Sequence, residues 1–135
     1  MPFTLSARSR SRLVGVHPDL VRVVNLAIRL TTVDFVVVQG NRTQAEQDAL
    51  YAQGRTKPGK KVTWTRNSNH IGGRAIDVAP WVNGTVEWDD NGKLGLWPRI
   101  AEAFKSAAKE LGVPIVWGGD WVTTKDRPHF ELPRK

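Results

Sequence analysis

An acid in the middle of an apolar run constrains this chain more than any other feature. Arg74-Ala75-Ile76-Asp77-Val78-Ala79 alternates with period two, so Ile76 and Val78 go to one face of an extended segment and Ala75, Asp77 and Ala79 go to the other. A buried carboxylate without a partner costs several kcal/mol, so something cationic has to sit beside Asp77. The two alanines on the same face leave room for an ion and a substrate. Bulky apolar residues there would have marked a second core face.

The rest of the pattern supplies a scaffold for that strand. Pro18 suits a first helical turn, and Leu20, Val23, Val24, Ala27 and Leu30 follow at helical spacing, which predicts a helix over 18–31. Phe35-Val36-Val37-Val38 reads as a short buried strand. Gln39-Gly40-Asn41-Arg42 breaks it, and Thr43-Gln44-Ala45-Glu46 has the form of a capping box that opens a helix ending at Gly54. Residues 55–69 carry Lys57, Lys60, Lys61 and Arg66 without a period and read as a basic loop. Asp89-Asp90-Asn91-Gly92 reads as a turn, because a calcium loop would need further oxygen ligands.

Pro98 is expected to begin a third helix, with an apolar stripe of Ile100, Ala103, Phe104, Ala107, Ala108 and Leu111 ended by Gly112 and Pro114. Ile115-Val116-Trp117 and His129-Phe130-Glu131-Leu132 read as the last strands. The order helix, strand, helix, strand, helix, strand, strand predicts an α+β single domain. Its small, mostly antiparallel sheet should carry helices packed on one face.

The 135 residues include no cysteine and three histidines. Disulfides, thiolate nucleophiles, iron–sulfur clusters and Cys-type zinc fingers are therefore excluded, and any metal has to be held by His and carboxylate. Two of the histidines fall in Ser68-Asn69-His70-Ile71-Gly72-Gly73-Arg74-Ala75-Ile76-Asp77 and Asp126-Arg127-Pro128-His129-Phe130-Glu131. His70 and Asp77 are seven apart, which is wrong for one helix face but suits a loop ligand and a strand ligand on either side of a Gly-Gly corner. With His129 they make a three-ligand set that suits zinc and leaves a fourth position for water. Zinc lowers the pKa of such a water towards about 7. Asp126 can approach the same centre as general base and then as acid to the leaving amine. His17, just before Pro18, reads as a helix-end residue with no metal role. Trp117 and Trp121 either wall a cleft or belong to the core, with core favoured for Trp117.

Lys and Arg number 20 against 13 Asp and Glu, a formal charge of +7, which calls for an anionic partner without naming it. A non-enzymatic basic protein binding nucleic acid through Arg8, Arg10, Arg12, Lys57, Lys60 and Lys61 is one reading of that charge. It gives no reason for Asp77 in an apolar strand or for two His–carboxylate motifs. The N-terminus runs from Met1-Pro2-Phe3-Thr4-Leu5 into Arg8-Ser9-Arg10-Ser11-Arg12 with no apolar stretch of signal-peptide type, and no run is long enough to span a membrane.

Ser68-x-His70-x6-Asp77 followed by Asp126-x-x-His129 closely resembles the zinc D-alanyl-D-alanine carboxypeptidase and L-alanyl-D-glutamate endopeptidase family, which shares the hedgehog/D,D-peptidase-type fold. The likeness runs from Gln39-Gly40-Asn41-Arg42 through Trp117-Gly118-Gly119-Asp120-Trp121 to Pro128-His129-Phe130-Glu131. It implies His70, Asp77 and His129 as zinc ligands, Asp126 as the catalytic carboxylate, Arg42 as a substrate-orienting and carbonyl-polarising group, and Ser68 as the serine of the first motif. The carboxypeptidase branch usually has Glu where this chain has Asp126, and the Asp-Arg-Pro-His-Phe context looks more like the phage endolysin branch. That implies cleavage of the L-Ala–D-Glu bond of peptidoglycan stem peptides by zinc-activated water with Asp126 as general base. Loss of terminal D-Ala by D,D-carboxypeptidase action is the alternative. A pseudo-enzyme of the hedgehog type is disfavoured because Asp126 is present.

The resemblance further implies a monomer whose residues 1–135 form a single zinc peptidase catalytic domain without a separate wall-binding domain. It would bind no specific nucleic acid, and its positive charge would serve attraction to the anionic cell envelope. It would wait in the host cytoplasm until released to the wall.

Overall fold

The computed structural model describes residues 3–41, 44–53, 55–56, 73–121 and 125–133. Helix α1 (Ala7–Arg12) is followed by α2 (Pro18–Leu30), strand β1 (Phe35–Gln39), α3 (Gln44–Ala52), β2 (Ala75–Val82), β3 (Thr85–Val86), α4 (Leu96–Leu111), β4 (Val116–Trp117) and β5 (His129–Glu131). The strands form one sheet in the order β1-β2-β5-β4, with β3 paired to β2. Each of these pairings is antiparallel. The expected α+β architecture is therefore present, and α1 and β3 are additions to the expected order of elements.

The long helices start and stop where local chemistry satisfies their end groups. His17 caps α2, its Nδ1 accepting from the Asp19 amide at 3.1 Å, and Pro18 occupies the first turn. Gly112 closes α4 at φ +69°, a left-handed conformation that glycine adopts without a Cβ penalty. The front of α4 lies at Leu96, earlier than Pro98. Asp89 explains this: its carboxylate accepts from the amides of Leu94 at 3.0 Å and Leu96 at 3.1 Å and organises the turn that launches the helix.

The apolar faces of α2 and α4 pack against each other and over the sheet, burying Leu20, Val23, Val24 and Ala27 with Ile100, Phe104 and Ala107. Phe104 is the centre of this layer. Its ring stacks on Phe130 at 4.0 Å between centroids and lies 5.2 Å from Phe35. Ile76 and Val78 of β2 join the same core, as their alternation requires.

Helix α1 lies elsewhere, against the outer edge of β1. Ser9 Oγ accepts from the Val37 amide at 3.0 Å, and Arg12 Nη1 donates to the Val37 carbonyl at 2.9 Å. The helix thus uses two polar side chains to satisfy backbone groups that an edge strand would otherwise present to other chains. Among the described residues no helix is long and apolar enough to cross a membrane.

Candidate metal centre

Strand pairing builds the site. Asp77 stands opposite His129 on β5 and, across a register shift in β1, opposite Gln39. On the face away from α2 and α4, the carboxylate therefore meets an imidazole at the middle of the sheet. His129 Nδ1 lies 3.3 Å from Asp77 Oδ1, which supplies the cationic neighbour that Asp77 demands. Two residues further along β5, and so on the same face, Glu131 Oε1 lies 2.6 Å from His129 Nε2. Both ring nitrogens of this buried histidine are thus engaged by carboxylates.

Burial is the largest single influence on His129 and disfavours its charged form. The close polar contacts with Asp77 and Glu131 and the charges of both carboxylates outweigh it, and together they raise the imidazole from 6.5 to about 9. In the metal-free protein the ring is an imidazolium at neutral pH.

Asp126 reaches the same place from a corner held at three points. Its amide donates to the Gly118 carbonyl at 3.0 Å, Trp117 Nε1 donates to the Arg127 carbonyl at 2.7 Å, and the Val78 amide donates to the Pro128 carbonyl at 2.9 Å. The His129 amide closes the turn onto the Asp126 carbonyl at 3.1 Å. Gly118 has to be glycine for this: a Cβ there would sit 2.2 Å from the Asp126 carbonyl oxygen. Asp77, Asp126 and His129 each offer one ligand atom, and these atoms lie within 4.8 Å of one another. The three residues form a group able to hold a metal ion, with the oxygen and imidazole donors that suit a divalent cation of the zinc type.

Of the site residues read from the sequence, the structure brings Asp77, Asp126 and His129 together. Arg42, Ser68 and His70 lie outside the described residues, as does most of the basic segment 55–69. The tryptophans divide. Trp117 is a structural residue, stacked on Phe130 at 6.2 Å and bonded to the Arg127 carbonyl. Trp121 faces the site, its ring centroid 5.3 Å from that of His129. Sequence reasoning did not single out Glu131, although the His-x-Glu spacing in a strand already placed it on the face of His129. Gly118 reads from the sequence only as part of a turn, and nothing local marks the contact that makes it necessary.

Fold and site together define a small α+β protein with a His/carboxylate cluster able to hold a metal ion on the sheet face opposite α2 and α4. The model of the phage L-alanyl-D-glutamate peptidase family matches residues 1–133. The chain is 36% identical over 137 residues to the L-alanyl-D-glutamate peptidase of Escherichia phage T5, covering 99% of this chain and 92% of that one. It is 43% identical over 109 residues to the peptidoglycan L-alanyl-D-glutamate endopeptidase CwlK of Bacillus subtilis (strain 168), covering 74% of this chain and 61% of that one. The crystal structure of the Serratia marcescens L-Ala D-Glu endopeptidase ChiX matches with a TM-score of 0.80 at 41% identity, over 94% of this chain and 87% of that one. The chain belongs to the phage L-alanyl-D-glutamate peptidase family.

Proposed function

We propose that the protein is a zinc-dependent endopeptidase of the phage endolysin type that hydrolyses the L-Ala–D-Glu bond of peptidoglycan stem peptides. The observation that carries this reading is the convergence of Asp77, Asp126 and His129 within 4.8 Å in a chain whose relatives bear that activity in their names. In this reading Asp77 and His129 hold zinc with His70 as the third ligand. When bound, the zinc supplies Lewis acidity and activates water near neutral pH. The Asp126 carboxylate takes the proton of the attacking water and passes it to the leaving amine, and the corner tied to Gly118 and Trp117 keeps it in reach. Arg42 orients the substrate and polarises its carbonyl, and Ser68 contributes a hydroxyl beside the first histidine motif.

Residues 1–135 then act as one catalytic domain, a reading supported by the family match over 1–133, and the domain works as a monomer. The formal charge of +7 draws the protein to the anionic envelope once it has left the host cytoplasm.

The test is digestion of purified peptidoglycan followed by mass spectrometry of the fragments. New carboxyl ends on L-Ala and new amino ends on D-Glu are expected, abolished by a chelator and restored by zinc. Release of free D-Ala in their place would replace this reading with the carboxypeptidase alternative. Elemental analysis should find about one zinc per chain, lost in His70→Ala and in His129→Ala.

A further inference from the structure

The contact between His129 and Glu131 does more than neutralise a charge. An imidazole can ligate a metal through either nitrogen, and the other nitrogen then has to carry the proton. Here the two nitrogens face different groups. Nδ1 looks towards Asp77 at 3.3 Å, and Nε2 meets Glu131 at 2.6 Å. Asp77 belongs to the cluster of converging ligand atoms, whereas Glu131 does not.

The strand register makes this arrangement hard to reverse. Glu131 stands opposite Ala75 on β2 and Val116 on β4. Ala75 is fully buried and brings no polar side chain to that position. Only 15% of the Glu131 side chain is exposed, so its charge needs a fixed partner. Metal-ligating histidines commonly donate their second N–H to a carboxylate, which fixes ring orientation and raises the basicity of the ligating nitrogen.

We propose that Glu131 is a positioning residue that accepts the Nε2 proton of His129 and so presents Nδ1 to the metal held with Asp77. The inference rests on the zinc reading above and adds to it which nitrogen binds and what selects it. Glu131 acts through His129 and touches neither metal nor substrate.

The test uses 15N-histidine NMR of the zinc-loaded protein together with zinc affinity by chelator competition. The expected spectrum has the Nε2 of His129 protonated and its Nδ1 on the metal. Glu131→Ala should weaken zinc binding roughly 10–100-fold. Glu131→Gln, whose amide oxygen still accepts from Nε2–H, should recover most of that loss, and Glu131→Asp, which cannot reach, should resemble Glu131→Ala. Should Glu131→Ala fail to fold, the contrast between Gln and Asp decides. Ligation through Nε2, or equal zinc affinity in wild type, Glu131→Ala and Glu131→Asp, overturns the inference while leaving the zinc reading intact. A wild-type protein that takes up no zinc overturns both.

Discussion

On one face of β2, Ile76 and Val78 are fully buried among Phe35, Phe104, Phe130 and the apolar stripes of α2 and α4. One residue along, on the other face, Asp77 meets His129 in register, with Asp126 brought in from a distant corner. The helix-covered face is held by area, which many combinations of apolar side chains can supply. The opposite face is held by identity, because His129 is fixed by specific partners at specific distances, Asp77 at 3.3 Å and Glu131 at 2.6 Å. A substitution on the first face should therefore lower stability with little effect on chemistry, whereas one on the second should act on the chemistry first.

The sharpest break of that contrast is Asp126→Asn. It keeps the shape of the side chain and removes its ability to take a proton. Hydrolysis of peptidoglycan should fall by about 10²–10⁴-fold, with thermal unfolding unchanged and zinc still bound. Full activity would remove Asp126 from the reaction. Its counterpart on the other face is Phe104→Ala, which deletes the ring between Phe35 and Phe130. Urea unfolding should show a loss of about 3–5 kcal/mol, while the fraction still folded turns over substrate at an ordinary rate. A lower turnover per folded molecule would mean that the two faces are coupled.

The same division explains what was legible in the sequence. Period-two alternation around Asp77, and the i, i+3, i+4 stripes of α2 and α4, are local patterns, and each produced the element it implied. Helix α1 has no such stripe. Arg8-Ser9-Arg10-Ser11-Arg12 reads as a charge run, and its place is set by Ser9 and Arg12 bonding to Val37, 28 and 25 residues away. The early start of α4 depends on the Asp89 carboxylate, whose role appears only when the turn has formed. Asp77, Asp126 and His129, the group able to hold a metal ion, were legible because their types and spacings are chemical. The frame that aims them, from Gly118 and Trp117 to the Asp126 corner, is assembled by tertiary contacts and left no periodic trace.

His129 offers an intermediate effect that involves the site face alone. In the metal-free protein its value rises from 6.5 unfolded to about 9 folded. A raised folded value means that the imidazolium stabilises the fold fully below pH 6.5 and that this contribution disappears as pH climbs through about 9. Chelated protein should therefore lose stability across that window, by at most about 3 kcal/mol, in urea titrations at successive pH values. His129→Gln should flatten the dependence. With zinc the sign reverses, because the metal needs the ring without its second proton, so zinc affinity should increase with pH over the same range. A chelated protein equally stable at pH 6 and pH 9 would contradict the carboxylate–imidazolium account.

The smallest pair of effects isolates position from stability. Gly112 lies at φ +69° with open space where a Cβ would go, so Gly112→Ala should cost about 1–2 kcal/mol from backbone conformation alone and leave activity untouched. Gly118→Ala should cost a similar amount, about 1–3 kcal/mol, for a different reason: the new methyl group meets the Asp126 carbonyl at 2.2 Å, and the backbone has to move. Because that movement displaces the carboxylate relative to Asp77 and His129, turnover should drop well beyond what the lost stability accounts for. Two alanine variants of nearly equal stability and unequal activity would place the Asp126 corner among the features held by distance. Equal activity would show that the corner tolerates the shift and that Asp126 reaches its target by side-chain rotation instead.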